Sequence, residues 1–258
     1  MPHSPSDDLA LALRLAGRAD ALLMRGFRSP ALAVEVKADG TPVTPVDRDV
    51  DAAVRGELAR ARGGDAVLAE ESGATGGSRR RWIVDPLDGT KNYVRGVPVF
   101  ACLIALECDG ALVLGVASAP ALGLRWWAER GAGAYRNGER MQVSSVAALR
   151  DAEVLHSGLG AWRRHDRLAG LLALERASRR TRGFGDFWPF VLVAEGAAEV
   201  AVEPGGLQPW DLAALRVVVE EAGGRLTSLD GDPESRDGSA LASNGMVHDA
   251  ALAVLGDG

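Results

Sequence analysis

Apolar residues Leu9, Leu11, Leu13, Leu15, Ala16, Leu22 and Leu23 recur through the first thirty positions with helical spacing, and Ser6-Asp7-Asp8 stands before them as a cap. A long first helix ending at Gly26 is expected. The next segment, VEVKADGTPVTPVD, reads as extended chain turning at Asp39-Gly40. DRDVDAAVRGELARARGG reads as a second helix that starts near Pro45 and is ended by Gly63-Gly64. AVLAEES is then a short strand running into acid, and RRRWIVDPLDGT is another strand finishing on carboxylates. VFACLIALECDGALVLGVASAP has the pattern of a hairpin turning at Asp109-Gly110. LRWWAERGAGAYRNGERMQVS continues it, with Asn137-Gly138 as a second hairpin turn. Adjacent strand residues face opposite ways, so of Trp126 and Trp127 one is expected in the core and the other exposed at a subunit contact.

From about residue 145 the pattern changes. DAEVLHS reads as a strand, RHDRLAGLLALERASR as a helix, TRGFGD as a strand end, and FWPFVLVAEGAAEVAVEP as helix then strand. PWDLAALRVVVEEAGGRLTSLDG is a helix, a Gly-Gly stop and a strand. Residues 1–144 are therefore expected to form a helix pair with an antiparallel sheet, and residues 145–258 an alternating α/β half. No repeat or low-complexity linker separates the halves, so one layered unit over 1–258 is expected.

Composition narrows the function classes. Hydrophobic residues make up 47% and charged residues 25%, which suits a globular core and not a disordered chain. The net charge of -6 argues against nucleic acid as a partner. Lysine occurs only at positions 37 and 91, a skew toward arginine read as coding bias. Cys102 and Cys108 lie six residues apart on one strand face, roughly 20 Å of extended chain, too far for a mutual disulfide. Two reduced thiols and a cytoplasmic location are expected. Asp or Arg interrupts every apolar run in the first thirty residues, so neither a secretory core nor a membrane span is expected there.

Candidate chemistry lies in the acids. Glu70-Glu71, Asp85, Asp88 and Asp211 each sit where a strand end or a helix start meets a turn. Each alone would suit a cap or a solvated turn, and Glu71 equally suits a surface role. Carboxylates converging without compensation would repel and raise one another's pKa, so convergence calls for a cation between them. Oxygen donors with no Cys or His beside them favour Mg²⁺ or Mn²⁺ over zinc, and His3, His156, His165 and His248 are scattered singly. Pro86 stiffens the turn, the Leu87 carbonyl is a further oxygen donor, and a helix starting at Gly89 would offer N–H groups to an anion. Metal beside an oxyanion cradle describes phosphate ester hydrolysis. DVDAA at 49–53 and DGDPE at 230–234 lack the final residue of an aspartyl-nucleophile phosphatase motif, and the 230–237 turn lacks the terminal glutamate of a calcium loop.

WIVDPLDGTKNYVRGVPVF, PWDLAALRVVVEEAGG and AEES, with Ala69 in place of a glycine, resemble the motifs of the inositol monophosphatase family over essentially the whole chain. The resemblance implies a layered αβαβα fold with an antiparallel N-terminal sheet and a mixed C-terminal sheet. It implies a magnesium-dependent phosphatase acting on a small phosphate ester, with two or three Mg²⁺ per site, Mn²⁺ as a substitute, and a homodimer. Carried over by position, it makes Glu70, Asp85 and the Leu87 carbonyl ligands of a first ion, and puts Asp85, Asp88 and Asp211 around a second. A mobile third ion would sit near Glu70. Thr90 and Asp47 match the pair that orients the attacking water, and the N–H groups of Gly89 and Thr90 match the phosphate cradle. From the residues alone, Thr90 could be a turn cap and Asp47 the N-terminal acid of the second helix.

NYVRGVPVF, SAPALGLRWWAERGAGAY, GFGDF and LVAEGAAEVAVEP resemble the branch of that family that hydrolyses histidinol phosphate. Members acting on inositol phosphate typically carry threonine where this chain has Asp186. A carboxylate there or at Glu203 would pair with a cationic amine, although an acid such as Asp186 also suits a plain N-cap, and Glu203 would equally bind sugar hydroxyls. Asp88 completes the expected substrate contacts. A bisphosphate would need a second cationic pocket, and the lysines are expected far from the second motif. Arg95 and Arg182 are expected as surface or structural partners. Inositol phosphate or another small polyol, amino-sugar or nucleoside phosphate is the alternative substrate.

Overall fold

A computed structural model of the protein describes residues 5–37, 40–233 and 237–256. Asp39 of the first expected turn and Glu234 of the DGDPE segment lie outside the described residues. In chain order the first half runs α1 (Asp7–Gly26), β1 (Glu35–Val36), β2 (Pro42–Val43), α2 (Pro45–Ala61), β3 (Ala66–Ala69), β4 (Gly73–Thr75), β5 (Arg80–Asp88) and α3 (Thr90–Val94). A meander follows: β6 (Ala101–Cys108), β7 (Ala111–Ala119), β8 (Leu124–Glu129), β9 (Gly133–Arg136) and β10 (Glu139–Met141). The second half runs β11 (Glu153–His156), α4 (Leu159–Arg164), α5 (Leu168–Ala177), β12 (Arg180–Gly183), α6 (Trp188–Ala194), β13 (Val200–Glu203), α7 (Pro209–Glu221), β14 (Arg225–Thr227), β15 (Ala240–Ser243) and α8 (His248–Gly256).

Caps set these boundaries. Ser6 accepts the Leu9 N–H at the start of α1, and Thr44 caps α2 with Pro45 in its first turn. The meander builds an eight-stranded sheet in the order β10-β9-β8-β7-β6-β5-β3-β4. It is antiparallel, as expected, except that β3 runs parallel to β5. The second sheet, β12-β11-β13-β15-β14, is mixed, with β11 parallel to both neighbours and β15 antiparallel to both of its own. The segments that become β4, α4, β15 and α8 are short or weakly periodic and add to the expected set.

Strand alternation divides the interior into three cores. In β6, Cys102, Ile104 and Leu106 face α1 and α2, while Ala101, Leu103 and Ala105 face α6 and α7. In the second sheet Leu155 and Ala201 face the same middle layer, whereas Val154, Val200 and Val202 pack against α4, α5 and α8. The result is five layers, helices–sheet–helices–sheet–helices. Trp126 is fully buried in the middle core. Trp127 faces the other way and is half-buried rather than exposed, stacked on Tyr135 of the neighbouring strand at 6.1 Å. Met141 also belongs to the middle core. Both cysteines are free, Cys102 buried and Cys108 partly so.

Helix α7 lies directly on the large sheet. A Cβ at Gly115 of β7 would sit 2.3 Å from the Ala214 carbonyl oxygen, so only glycine permits this approach. No helix among the described residues is long and apolar enough to cross a membrane.

Candidate metal and substrate site

The two carboxylates of the first motif reach one place through a β-bulge. Asp85 pairs with Leu103 and Asp88 with Ala101, so Pro86 and Leu87 together oppose Cys102. In a regular strand, residues three apart face opposite sides. The extra residue reverses that: Leu87 is buried in the α1/α2 core while Asp85 and Asp88 both face the middle layer. There they meet Asp211, in the first turn of α7, and one oxygen from each of the three lies within 4.8 Å of the others.

Backbone N–H groups fix each acid. The Leu87 N–H donates to Asp85 Oδ1 at 2.9 Å, the Phe187 N–H to Asp88 Oδ2 at 2.7 Å, and the Gln208 N–H to Asp211 Oδ2 at 2.7 Å. Asp47 is held likewise, its Oδ2 accepting from the Thr44 N–H at 2.9 Å and the Thr44 hydroxyl at 2.6 Å. Asp47 and Asp211 occupy equivalent places, each two residues after a proline that opens a helix. The cap reading and the site reading are therefore both satisfied: one oxygen closes the helix and the other is left for chemistry.

Asp47 Oδ1 lies 3.3 Å from Thr90 Oγ1, whose single proton also has the Leu87 carbonyl in reach at 2.9 Å. Burial raises the Asp47 pKa, against the hydrogen bonds from Thr44 and Thr90. Gly89 precedes α3 with φ of 81°, a left-handed conformation, and a Cβ on it would approach the Val99 carbonyl oxygen to 3.0 Å.

Three crowded carboxylates, one buried and two half-buried, without a cation among them are electrostatically costly. Burial pushes Asp85 well above the usual carboxylate range, helped by the charges of Glu70, Asp88 and Asp211. Asp88 is raised in the same way, by burial and then by Asp186 and Asp211. Asp211 is pushed up to about 7, with burial the main cause. The donor set is oxygen only, and a hard divalent cation would remove the repulsion, so these residues fit magnesium or manganese.

Glu70 stands beside this group and outside its 4.8 Å circle. Its N–H donates to the Val84 carbonyl at 3.2 Å, which brings it alongside Asp85. Its Oε1 accepts from the Lys37 ammonium at 2.8 Å, and the same ammonium donates to Glu71 Oε1 at 2.6 Å. Glu71 thus gains a partner that its position after a strand did not reveal.

A cavity of about 500 Å³ opens over Asp88 and Asp211 and is lined by Lys91, Ser157, Arg164, Asp186 and Glu203 among others. Asp186 has φ of 59°, and the Asn92 side-chain amide donates to its Oδ2 at 2.9 Å and to the Val99 carbonyl at 2.9 Å. Burial raises Asp186, against the pull of Lys91. Glu203, at the end of β13, is pushed up to about 8 by burial. The expectation that both lysines lie far from the second motif is corrected: Lys91, in α3 directly after the first motif, lines the same cavity as Asp211. Lys91, Asn92, Ser157 and Arg164 are additions to the expected site, and only the adjacency of Lys91 and Asn92 to DGT could have marked them. Arg95 and Arg182 are exposed and outside the cavity wall.

The model of the inositol monophosphatase family matches residues 5–256. A histidinol-phosphatase of Mycobacterium tuberculosis is 51% identical over 258 residues, covering 98% of this chain and 99% of that protein. One of Streptomyces coelicolor is 48% identical over 258 residues, covering 96% and 97%. Among solved structures, the extragenic suppressor protein suhB of Bartonella henselae matches with a TM-score of 0.91 at 32% identity, over 98% of this chain and 100% of that one.

Proposed function

The chain belongs to the inositol monophosphatase family, and on that premise we propose that it hydrolyses L-histidinol phosphate to L-histidinol and phosphate with magnesium. The observation that carries the substrate choice is the pair of acids in the wall of the cavity that opens over Asp88 and Asp211, Asp186 half-buried and Glu203 buried. A phosphate ester bearing a cationic amine can place its phosphate toward the aspartates and its amine toward Asp186. The full-length relatives at about half identity carry the same activity in their names.

In this reading Glu70, Asp85 and the Leu87 carbonyl would hold the first of two or three magnesium ions, and Asp85, Asp88 and Asp211 would surround the second. The bound metal supplies an acidified water and positive charge for the leaving oxygen. Thr90 Oγ1 would orient the attacking water, and Asp47, fixed on its Oδ2 side by Thr44, would take up a proton at Oδ1. The N–H groups of Gly89 and Thr90 hold the phosphate. The whole chain acts as one catalytic unit, a cytoplasmic homodimer; sedimentation of the purified protein tests the dimer.

Inositol phosphate is the second reading, because Glu203 can accept sugar hydroxyls as well as an ammonium. Phosphate release from L-histidinol phosphate, inositol 1-phosphate and fructose 1,6-bisphosphate, side by side with Mg²⁺, separates the two. A preference of at least about tenfold for histidinol phosphate is expected, corresponding to one good charge-assisted hydrogen bond. Equal or faster release from inositol phosphate would replace the substrate assignment and leave the metal site standing.

A further inference from the structure

Residues 204–208 link two parts of the site, Glu203 at the end of β13 and the helix α7 that carries Asp211. Leu207 of this link lines the cavity beside Glu203. The link is neither strand nor helix, so whatever grips it decides where that wall stands. Two turns behind it supply the grip. In the turn between α4 and α5, the Arg167 guanidinium donates through Nη1 to the Pro204 carbonyl at 3.2 Å. From the other turn, the Gly238 carbonyl accepts the Leu207 N–H at 3.0 Å. Arg167 Nη2 also lies 3.8 Å from Asp237 Oδ2, so one guanidinium touches the start of the link and the turn that holds Leu207. That second turn runs on into β15, where Ala240 pairs with Glu203. The fit is close on both sides. A Cβ at Gly205 would lie 2.7 Å from the His165 ring, and one at Gly238 would lie 2.8 Å from the Leu207 carbonyl oxygen.

We infer that Arg167 is a positioning residue for the substrate end of the cavity: by gripping Pro204 and Asp237 at once it fixes the link, and with it the places of Glu203 and Leu207, an inference that rests on reading the cavity as the substrate site. An arginine suits the task, because its planar fork offers donors in fixed directions and can serve a carbonyl and a carboxylate together. The Arg167 and Asp237 side chains are 33% and 32% exposed, so the ion pair alone contributes little and the hydrogen bond to Pro204 carries the larger share. Asp211 depends on the link far less. Helix α7 is seated on β7 at Gly115, and the Gln208 N–H closes onto Asp211 within the first turn of that helix. Loss of Arg167 should therefore loosen the wall formed by Glu203 and Leu207 and leave the aspartates in place. A loosened wall must be ordered each time substrate binds, which weakens binding rather than the chemical step.

Steady-state kinetics and amide hydrogen exchange on the magnesium-loaded protein test this. Arg167→Met is expected to raise KM for L-histidinol phosphate about tenfold and to change kcat by less than about twofold. KM for p-nitrophenyl phosphate, which has no amine, should stay near the wild-type value. The Leu207 N–H, followed by nuclear magnetic resonance, should exchange on the order of tenfold faster in the variant. Arg167→Lys, which keeps the charge and a donor for Pro204, should recover part of both effects. Gly238→Ala, which pushes on Leu207 from the other turn, should raise KM in the same selective way. Unchanged KM or unchanged exchange in Arg167→Met overturns the inference. An equal rise in KM on both esters also overturns it, by making Arg167 merely structural, as does a fall in kcat on both, which would place the effect at the metal site. A wild type that does not hydrolyse histidinol phosphate sinks the substrate reading. Faster exchange at Leu207 in Arg167→Met would then still uphold the grip, and unchanged exchange would still overturn it.

Discussion

The Asn92 side-chain amide donates to Asp186 Oδ2 at 2.9 Å across a separation of 94 residues, tying the first motif to the wall of the cavity over Asp88 and Asp211. Asp186 is in left-handed backbone conformation, which a non-glycine residue holds only when its surroundings enforce it. Asp186→Ala and Asn92→Ala are both expected to cut kcat/KM for L-histidinol phosphate about 10- to 100-fold while sparing a phosphate ester without an amine. Equal losses on both substrates would make the pair structural.

Asp85→Asn and Asp211→Asn should each lower turnover by about a thousandfold or more while far-UV circular dichroism stays native. Each change removes a charge from a crowded, buried group, so the metal-free variant should melt no lower than the metal-free wild type. Near-normal turnover in either variant would sink the metal assignment.

Thr90→Ala is expected to reduce kcat about 100-fold with Mn²⁺ binding unchanged, and Thr90→Ser to recover most of the loss, because only the hydroxyl facing Asp47 is required. If Thr90→Ala instead weakens Mn²⁺ binding in proportion, its contact with the Leu87 carbonyl is what matters.

Glu203 gives a pH dependence with a definite sign. Its carboxyl is pushed up to about 8 by burial from an ordinary value of 4.5, so between those values the folded state binds the proton more tightly than the unfolded chain. Stability contributed by the protonated form is present below about 4.5 and lost as pH rises through 8. In EDTA, the melting temperature should fall between about pH 5 and pH 8 and level off above, and Glu203→Gln should flatten the slope. An unchanged slope in that variant would place the titration elsewhere.

Much of this was readable from the chain. Ser6 and Pro45 mark real helix starts, Asn137-Gly138 is a real turn, and Asp85, Asp88 and Asp211 do converge. Local signals suffice there because caps, turns and strand ends depend on a few neighbouring residues. The bulge was not readable: Pro86 announces a break in the strand but not which face the next carboxylate takes. The bonds from Lys37 to Glu70 and Glu71 and the place of Lys91 in the cavity depend on how distant segments fold together, for which the sequence carries no local mark. That Trp127 is half-buried rather than exposed depends in the same way on the neighbouring strand, which stacks Tyr135 on it.

Gly115 works as a spacer gauge. The carboxylate of Asp211 rides on α7 and that of Asp85 on the sheet beneath, so the gap between them is set by how far the helix stands off, and the missing side chain at Gly115 sets that height. A substitution such as Gly115→Val would prop the helix up like a shim under a hinge, prising the aspartates apart without altering one of them. Weaker Mn²⁺ binding with an unchanged set of acids would be its signature, and unchanged affinity would show that the layers yield elsewhere. On the proposed assignment, metal affinity is thus partly a property of interlayer distance, tunable from a position in the middle of a strand, outside the proposed ligand set.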